Sequence, residues 1–328
     1  MVLKRLIFVF SSIIIITTAH AQTKEIPRDT SYNVNRVYQQ IHKDYPMAVP
    51  AKDVVPKGVK AERNIVYITL ENTPFGKREL HLDIFRPEKT GKHPAIVMIH
   101  GGGWRSGTRQ MQVPMAEMLA AKGFVTIPVE YQLSLEAKYP AAVHNIKSAI
   151  RWIRLNADKH GIDTSRIAIS GCSAGGQLAA LIGVTNGLAQ FEGDMGNNGE
   201  NSNVHAIIDI DGVIDFMAPL SLNLKRKSDS PDIEWLGGSF EEKPLIWKEA
   251  SPIFWANEGM VPVLFVNSGY SWFHAGRDEL IGMMKDWKKY YEVHGFDIKV
   301  HPFWLFHPWV DKTVDHMHTF LNKVYGSK

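Results

Sequence analysis

The sequence has one cysteine, little net charge and no apolar run long enough for a membrane span near its N-terminus, and each scarcity excludes a class of protein. A chain of 328 residues whose only cysteine is Cys172 cannot form an intramolecular disulfide, which excludes a disulfide-stabilised scaffold. The formal net charge is +3 and the basic residues are not clustered, so we expect no nucleic-acid partner. The apolar stretch from Leu6 to Ile16 is shorter than the ~20 residues that cross a bilayer, so we expect no stable membrane anchor.

The N-terminus has the features of a secretion signal. Lys4 and Arg5 precede the apolar stretch, and Ala19-His20-Ala21 provides a small residue on either side of a cleavage site. We therefore expect residues 1–21 to be a signal peptide, cleaved near Ala21, and the protein to be secreted or periplasmic. Residues 22–62 are predicted to be an N-terminal extension, and 63–328 the main domain, long enough to bury one sizeable core.

Apolar strand patterns and helical patterns alternate along the main domain, which is typical of a mainly parallel sheet flanked by helices, with the site at the carboxyl ends of the strands. Two segments interrupt the alternation. Residues 191–203 are predicted to be a solvated loop, with a calcium loop as the less favoured alternative, and residues 216–259 a cap insertion over the site. The predicted strands are 64–70, 79–85, 94–99, 124–129, 166–170, 204–210, 261–267 and 297–300, and the predicted helices are 34–43, 111–122, 141–160, 176–181, 275–294 and 312–325.

Residues 171–175 (Gly-Cys-Ser-Ala-Gly) are the most informative motif. They follow a short apolar strand and precede a helical pattern, so a serine occupies the apex of a sharp strand-to-helix turn. The flanking glycines let neighbouring backbone approach closely, and the helix N-terminus favours developing negative charge. This arrangement predicts that Ser173 is an exposed nucleophile.

Residues 100–104 (His-Gly-Gly-Gly-Trp) follow another apolar strand and give the second motif. Successive glycines leave backbone N–H groups accessible, as an acyl-transfer enzyme needs for the oxyanion of its intermediate. A phosphate-binding loop is the alternative. However, no G-x-x-x-x-G-K-[ST] or G-x-G-x-x-G pattern is present at either motif, and we favour acyl transfer.

With both motifs in place, the chain from about Tyr67 onwards resembles secreted bacterial esterases of the α/β-hydrolase superfamily. The resemblance is nearest to the hormone-sensitive-lipase-like and feruloyl or acetylxylan esterases and their pectin-esterase relatives, and it includes residues 129–133, 249–252 and 301–309. It implies the α/β-hydrolase fold and removal of acetyl, feruloyl or methyl esters from plant polysaccharides. It also implies that Ser173 is the nucleophile and that the N–H groups of Gly102, Gly103 and Ala174 form the oxyanion hole.

The general base has two candidates, because such a histidine follows the last strand of the sheet. His301 is favoured by the aromatic run after it and by Pro302, which ends the predicted strand. It leaves, however, an unusually short connection after a strand that ends at residue 300. His307 lies at a more ordinary distance and remains the alternate.

The acid departs from the family pattern, which places an aspartate near the position that Ser271 occupies here. Asp211 directly follows a predicted strand and could reach the histidine loop, so we favour it. Asp278, in the first turn of a predicted helix, is the alternate, although the helix dipole explains a carboxylate there equally well. A Ser–His dyad without an acid also remains open.

Tryptophans fall in several loops expected at the rim of the site. Trp104, Trp272 and Trp304 are the predicted substrate-binding residues, since aromatic faces suit sugar rings or a feruloyl group. Ordinary packing is the competing explanation.

These observations predict a serine esterase that acts through an acyl-enzyme on a polysaccharide-linked or small ester and needs no metal or organic cofactor. An exopeptidase of the same fold and a non-catalytic carbohydrate-binding protein are the alternatives, and the oligomeric state is left open.

Overall fold

A computed structural model describes residues 25–326, and the predicted signal peptide lies outside the described residues. The strands are β1 Val49–Pro50, β2 Val59–Thr73, β3 Gly76–Pro87, β4 His93–Ile99, β5 Val125–Val129, β6 Ile162–Cys172, β7 Ala206–Ile210, β8 Val263–Asn267, β9 Tyr291–Gly295 and β10 Phe306–His307. The helices are α1 Val34–Ile41, α2 Val113–Ala121, α3 Ala141–Leu155, α4 Ala157–His160, α5 Ala174–Val184, α6 Pro219–Leu222, α7 Pro231–Leu236, α8 Pro244–Glu249, α9 Arg277–Asp286 and α10 Trp309–Tyr325.

The central sheet has the strand order β2-β3-β5-β4-β6-β7-β8-β9. Only the pairs β2–β3 and β3–β5 are antiparallel, so the predicted mainly parallel sheet is confirmed. Ile99 at the end of β4 pairs with Gly171 in β6, Cys172 pairs with Ile210 in β7, and Ile210 pairs with Val266 in β8. This register brings the carboxyl ends of four strands to one edge, where both glycine motifs lie.

The core lies on both faces of this sheet. In β4, Val97 and Ile99 pack with α3 and α5 on one face, whereas Ile96 and Met98 pack with α2 and α10 on the other. Because side chains alternate across a strand and both faces are covered, β4 reads as a continuous apolar run. Within residues 25–326, no helix has the length and apolarity that crossing a bilayer would require.

The last part of the sheet differs from the prediction. The helix predicted over 275–294 ends at Asp286, and its second half contains β9, while the strand predicted at 297–300 is wrong. Lys288 takes a positive φ of 58°, which is incompatible with a continued helix. The edge strand β9 is half-exposed, so its apolar residues do not alternate clearly and the sequence was read as a continuing helix. Residues 296–300 therefore connect β9 to His301, which removes the objection that this connection is too short.

The loop 191–203 is held by two buried cations of the protein. Lys147 Nζ lies 3.0 Å from Glu192 Oε1, and Arg151 Nη1 lies 2.8 Å from Glu192 Oε2. Arg151 also donates to the carbonyl oxygens of Met195 and Gly196. The Glu192 carboxylate and two backbone carbonyl oxygens of the loop are thus paired with protein cations.

Segment 216–259 carries α6, α7 and α8 and is called the cap segment below. It lies over the carboxyl edge of the sheet, where Pro231 approaches the glycine motif so closely that a Cβ on Gly103 would lie 2.9 Å from its Cβ atom. At the other end of the chain, the predicted extension contributes β1, which pairs with β10, and β2 begins at Val59 rather than at residue 64.

Candidate active site

Ser173 lies at the turn between β6 and α5 in a backbone conformation of φ 56° and ψ −121°. Two residues before it and two residues after it, only glycine fits. A Cβ on Gly171 would lie 1.9 Å from the carbonyl oxygen of Gly175, and one on Gly175 would lie 2.3 Å from that of Ile99. The preceding Cys172 is fully buried, so the serine alone is presented at the edge of the sheet.

His301 joins Ser173 to Asp211. Its Nε2 lies 2.8 Å from Ser173 Oγ, and its Nδ1 lies 2.9 Å from Asp211 Oδ2. With the ring proton on Nδ1, the imidazole donates to the carboxylate and accepts from the serine hydroxyl, which is the arrangement that general-base activation of a serine needs. The structure therefore brings together the three residues that the sequence favoured.

Asp211 is fully buried and directly follows β7. Its Oδ1 accepts hydrogen bonds from the backbone N–H of Ser268 at 2.7 Å and from Asn267 Nδ2 at 3.4 Å, both at the end of β8. Its φ of 52° is one that aspartate tolerates better than most residues. Both carboxylate oxygens thus have donors, and the side chain is fixed towards His301.

Backbone strain concentrates at this site. Among residues 25–326, six non-glycine residues have a positive φ, and three of them are Trp104, Ser173 and Asp211. Residues held in such conformations persist where the surrounding structure enforces them, and they cluster at functional sites.

The alternates lie elsewhere. The Asp278 side chain is 70% exposed and forms an ion pair with Arg277 at 2.7 Å. His307, just before α10, forms a 2.7 Å hydrogen bond with Asp311 in the first turn of that helix. Neither forms a hydrogen bond with Ser173 or His301 in the part of the chain that the structure describes. The position of Ser271 begins a short 3₁₀ turn without a carboxylate, and the candidate acid Asp211 follows β7 instead of β8.

Two aromatic rings hold the imidazole of His301. Phe273 stacks on it with a centroid distance of 3.7 Å and an interplanar angle of 6°, and Trp304 meets it edge-on at 5.1 Å. Trp304 is only 2% exposed and belongs to the core under the ring, so its predicted substrate-binding role is corrected to a packing one. Phe273 was not predictable from local sequence, because its stacking partner His301 is distant in the chain.

The glycine motif after β4 forms a tight loop. Gly102 has a φ of 120°, and a Cβ there would lie 2.2 Å from the carbonyl oxygen of Ser106. Within residues 25–326, the N–H groups of Gly102, Gly103 and Ala174 donate to no other protein atom. They remain available to a substrate oxygen beside Ser173.

His100 and Arg105 hold this loop from both ends. Burial lowers the pKa of His100 to about 4, so its ring is neutral, and Nδ1 lies 2.8 Å from the carbonyl oxygen of Gly101. Arg105 Nε lies 3.0 Å from Asp29, and its Nη1 lies 3.2 Å from Glu234. The loop is thereby fixed between the N-terminal extension and the cap segment.

A cavity of about 300 Å³ opens at Ser173. Trp104 and Trp272 line it, together with Val213, Phe216 and Phe273, so it is mostly apolar beside the serine. Trp104 is fixed by a 3.0 Å hydrogen bond from its Nε1 to Gln177 Oε1 and by stacking on Trp235. These positions suit the predicted substrate-binding roles of Trp104 and Trp272, which stay predictions.

Asp209, two residues before the candidate acid, is a buried carboxyl with one unpaired oxygen. Its Oδ1 accepts from the N–H of Gly212 at 2.7 Å, whereas Oδ2 has no partner among the described residues. Burial, reinforced by the negative charge of Asp211, raises the pKa of Asp209 to about 7. Asp209 therefore keeps its proton in the folded protein well above the pH at which it ionises in the unfolded chain.

We expect Asp209→Asn to flatten the pH dependence of stability. Because the folded pKa of about 7 lies above the ordinary 3.8, the wild type loses stability as pH rises between these values. The variant cannot ionise there, and its Oδ1 can still accept from Gly212. Relative to the wild type it should gain on the order of 3 kcal/mol between pH 4 and pH 8. Urea unfolding at both pH values measures this, with the exposed Asp278→Asn as control. A gain that is the same at both pH values would contradict the assignment.

The sheet, the strand-to-helix turn at Ser173 and the Ser173–His301–Asp211 arrangement define an α/β-hydrolase. The family model described as BD-FAE matches residues 82–283, and the chain belongs to this family. The predicted fold class is thus confirmed, as is the resemblance to esterases of this superfamily.

Several curated relatives are esterases. The chain is 29% identical over 71% of its length to Esterase LipC and 30% identical over 57% to the probable carboxylic ester hydrolase LipM, both of Mycobacterium tuberculosis. It is 34% identical over 46% to an arylesterase of Saccharolobus solfataricus. The matches cover 57%, 47% and 46% of those proteins, so the chain spans about half the length of the curated relatives it matches.

Solved structures share the fold. A bifunctional GH43-CE protein of Bacteroides eggerthii superposes with a TM-score of 0.70 at 24% identity, covering 81% of this chain and 38% of that one. Esterase 2 of Thermogutta terrifontis superposes with a TM-score of 0.63 at 25% identity, covering 82% of this chain and 93% of that one.

Proposed function

We propose that this protein is a serine esterase whose nucleophile, base and acid are Ser173, His301 and Asp211. The observation that carries the proposal is the imidazole of His301, which lies within 2.9 Å of both the serine hydroxyl and the buried carboxylate. The esterase relatives and the BD-FAE family support ester hydrolysis as the reaction.

In the proposed mechanism each of these groups has its own role. Ser173 Oγ attacks the ester carbonyl as its proton passes to His301 Nε2, and the carbonyl oxygen becomes an oxyanion within reach of the N–H groups of Gly102, Gly103 and Ala174. The intermediate collapses, the alcohol leaves with the proton from His301, and an acyl-enzyme remains. Water then attacks the acyl carbon as its proton passes to His301, the bond between that carbon and Ser173 Oγ breaks, Oγ takes the proton from His301, and the carboxylic acid product is released. Asp211 orients the imidazole and stabilises its charged form.

The proposed substrate is an acetyl, feruloyl or methyl ester on plant cell-wall polysaccharide, or a small ester of the same kind. This substrate class rests on the motif resemblance and on the aromatic cavity beside Ser173. Secretion or a periplasmic location after cleavage near Ala21 is proposed from the N-terminal sequence. N-terminal sequencing of exported protein beginning at Gln22 would support it, and retention of residues 1–21 would overturn it.

Product release from a panel of esters tests the function. Acetylated xylan, methylated and acetylated pectin, and methyl ferulate are incubated with the protein, and acetate, methanol and ferulate are quantified. Release of one product names the group that is cleaved. If none is released and p-nitrophenyl acetate is also untouched, the esterase proposal is wrong and the carbohydrate-binding alternative takes its place.

A further inference from the structure

The cap segment lines a second, larger cavity, open to solvent, beside the one at Ser173. Its volume is about 900 Å³, near the upper end of the roughly 300–1,000 Å³ usual for ligand pockets. Most of its wall comes from the cap segment, mainly from Leu222, Leu224 and residues 226–229 and 237–242, and Arg105 and Lys138 of the main domain complete it. The cavity at Ser173 holds only about 300 Å³, so a substrate larger than a simple ester needs additional space of this kind.

The two cavities are adjacent, because Leu224 and Arg226 line both. Arg226 is a fixed part of the partition. Its Nε donates to Asp232 at 2.5 Å, its Nη1 donates to the carbonyl oxygen of Ser221 at 2.8 Å, and its guanidinium lies 5.1 Å from the ring centroid of Trp247. A ligand in the larger cavity therefore lies next to the ester site, and the anchored Arg226 side chain borders both cavities.

The lining of the larger cavity is polar and balanced in charge. Four cationic and four acidic side chains contribute to it, so the cavity has no excess of either sign. Among the described residues, the Lys227 ammonium and the Asp229 carboxylate form no ion pair and no side-chain hydrogen bond, which leaves a donor and an acceptor free, whereas Glu242 Oε2 accepts from the N–H of Ser239 at 2.8 Å. Phe240 adds a partly exposed aromatic ring. A pocket for an anion would be mainly cationic, and a pocket for an acyl chain would be mainly apolar. A neutral ligand rich in hydroxyl groups instead uses hydrogen-bond donors, acceptors and an aromatic face together, and the lining of this cavity provides all three.

We propose that the larger cavity binds the neutral oligosaccharide portion of the substrate while the ester lies at Ser173. The inference rests on the proposed function and narrows its substrate class to esters carried by an uncharged glycan. Phe240 provides a surface for a sugar ring, and the unpaired side chains hydrogen-bond to its hydroxyl groups.

Filling the cavity tests the proposal. Ser228 lines it, is exposed and makes no side-chain hydrogen bond among the described residues, so Ser228→Trp adds bulk inside the cavity without removing a contact. Asn223 lies in the same segment, is equally exposed and lines neither cavity, which makes Asn223→Trp the matched control. Phe240→Ala removes the aromatic surface instead of filling the space.

The readout is kcat/KM for an acetylated xylo-oligosaccharide against that for p-nitrophenyl acetate. Ser228→Trp and Phe240→Ala should lower the first at least about tenfold, mainly through KM, and leave the second within about twofold. Asn223→Trp should change neither. Equal losses for both substrates, or no loss for the oligosaccharide, would overturn the proposal.

A binding measurement separates this inference from the esterase proposal. Ser173→Ala protein is titrated calorimetrically with the deacetylated xylo-oligosaccharide and with an acidic oligogalacturonide. We expect the neutral glycan to bind and Ser228→Trp, added to the same background, to weaken it at least about tenfold. Absence of binding, or tighter binding of the acidic glycan, contradicts the inference whether or not the protein hydrolyses esters.

Discussion

Ser173→Ala is expected to lower kcat for p-nitrophenyl acetate by about 10⁶-fold, since removal of the nucleophile from such a triad leaves only the catalysis due to binding and the oxyanion hole. The methyl group of alanine fits where the serine Cβ lies, so the fold should be unchanged. Steady-state kinetics measure the loss, and a fluorophosphonate probe should label the wild type but not the variant.

Ser170 is the matched control for this substitution. It lies in β6, the strand that precedes Ser173, is buried, and its Oγ has no hydrogen-bond partner among the described residues. Ser170→Ala should retain both activity and labelling. If Ser173→Ala keeps more than a small fraction of the activity, or still reacts with the probe, then another residue is the nucleophile and the proposed mechanism fails.

Asp211→Asn is expected to lower kcat about 10⁴-fold with little change in KM. The asparagine amide can present an N–H to His301 Nδ1, which favours the tautomer with its proton on Nε2. That tautomer cannot accept the proton of Ser173, although the geometry of the site is intact. Asp278→Asn provides the contrast, because its side chain is exposed and pairs only with Arg277, and its kcat should equal that of the wild type. Equal kcat values for Asp211→Asn and the wild type would show that a Ser–His dyad suffices, and a loss in Asp278→Asn would return that residue to consideration.

Ser173 and the glycine motif were predictable because their signals are local. The sharp turn between strand and helix needs glycine at positions 171 and 175, because a Cβ at either position would clash with neighbouring backbone. This requirement is visible within a five-residue stretch of the sequence. The buried parallel strands are equally plain, since coverage on both faces makes them continuous apolar runs such as residues 94–99. The fold class followed from these two features.

The partners of Ser173 were harder to predict because they depend on how distant segments meet. His301 and Asp211 lie far apart in sequence, and the choice between His301 and His307 was complicated by a misplaced strand. The edge strand β9 is half-exposed, so its apolar and polar residues do not alternate clearly, and its sequence could not be told apart from that of the preceding helix. The stacking of Phe273 on His301 and the ion pair between Asp29 and Arg105 could not be predicted, because each joins residues that are distant in the sequence.

The burial of Cys172 gives the molecule an intrinsic reporter. This thiol is the only one in the sequence, it is fully buried beside Ser173, and burial raises its pKa well above the ordinary range. Because only the thiolate reacts and only an accessible one can be reached, a thiol reagent labels the molecules in which the junction between β6 and α5 has opened. The labelling rate thus reports local opening at the nucleophile without any engineered probe, and a ligand that holds the junction closed should slow it.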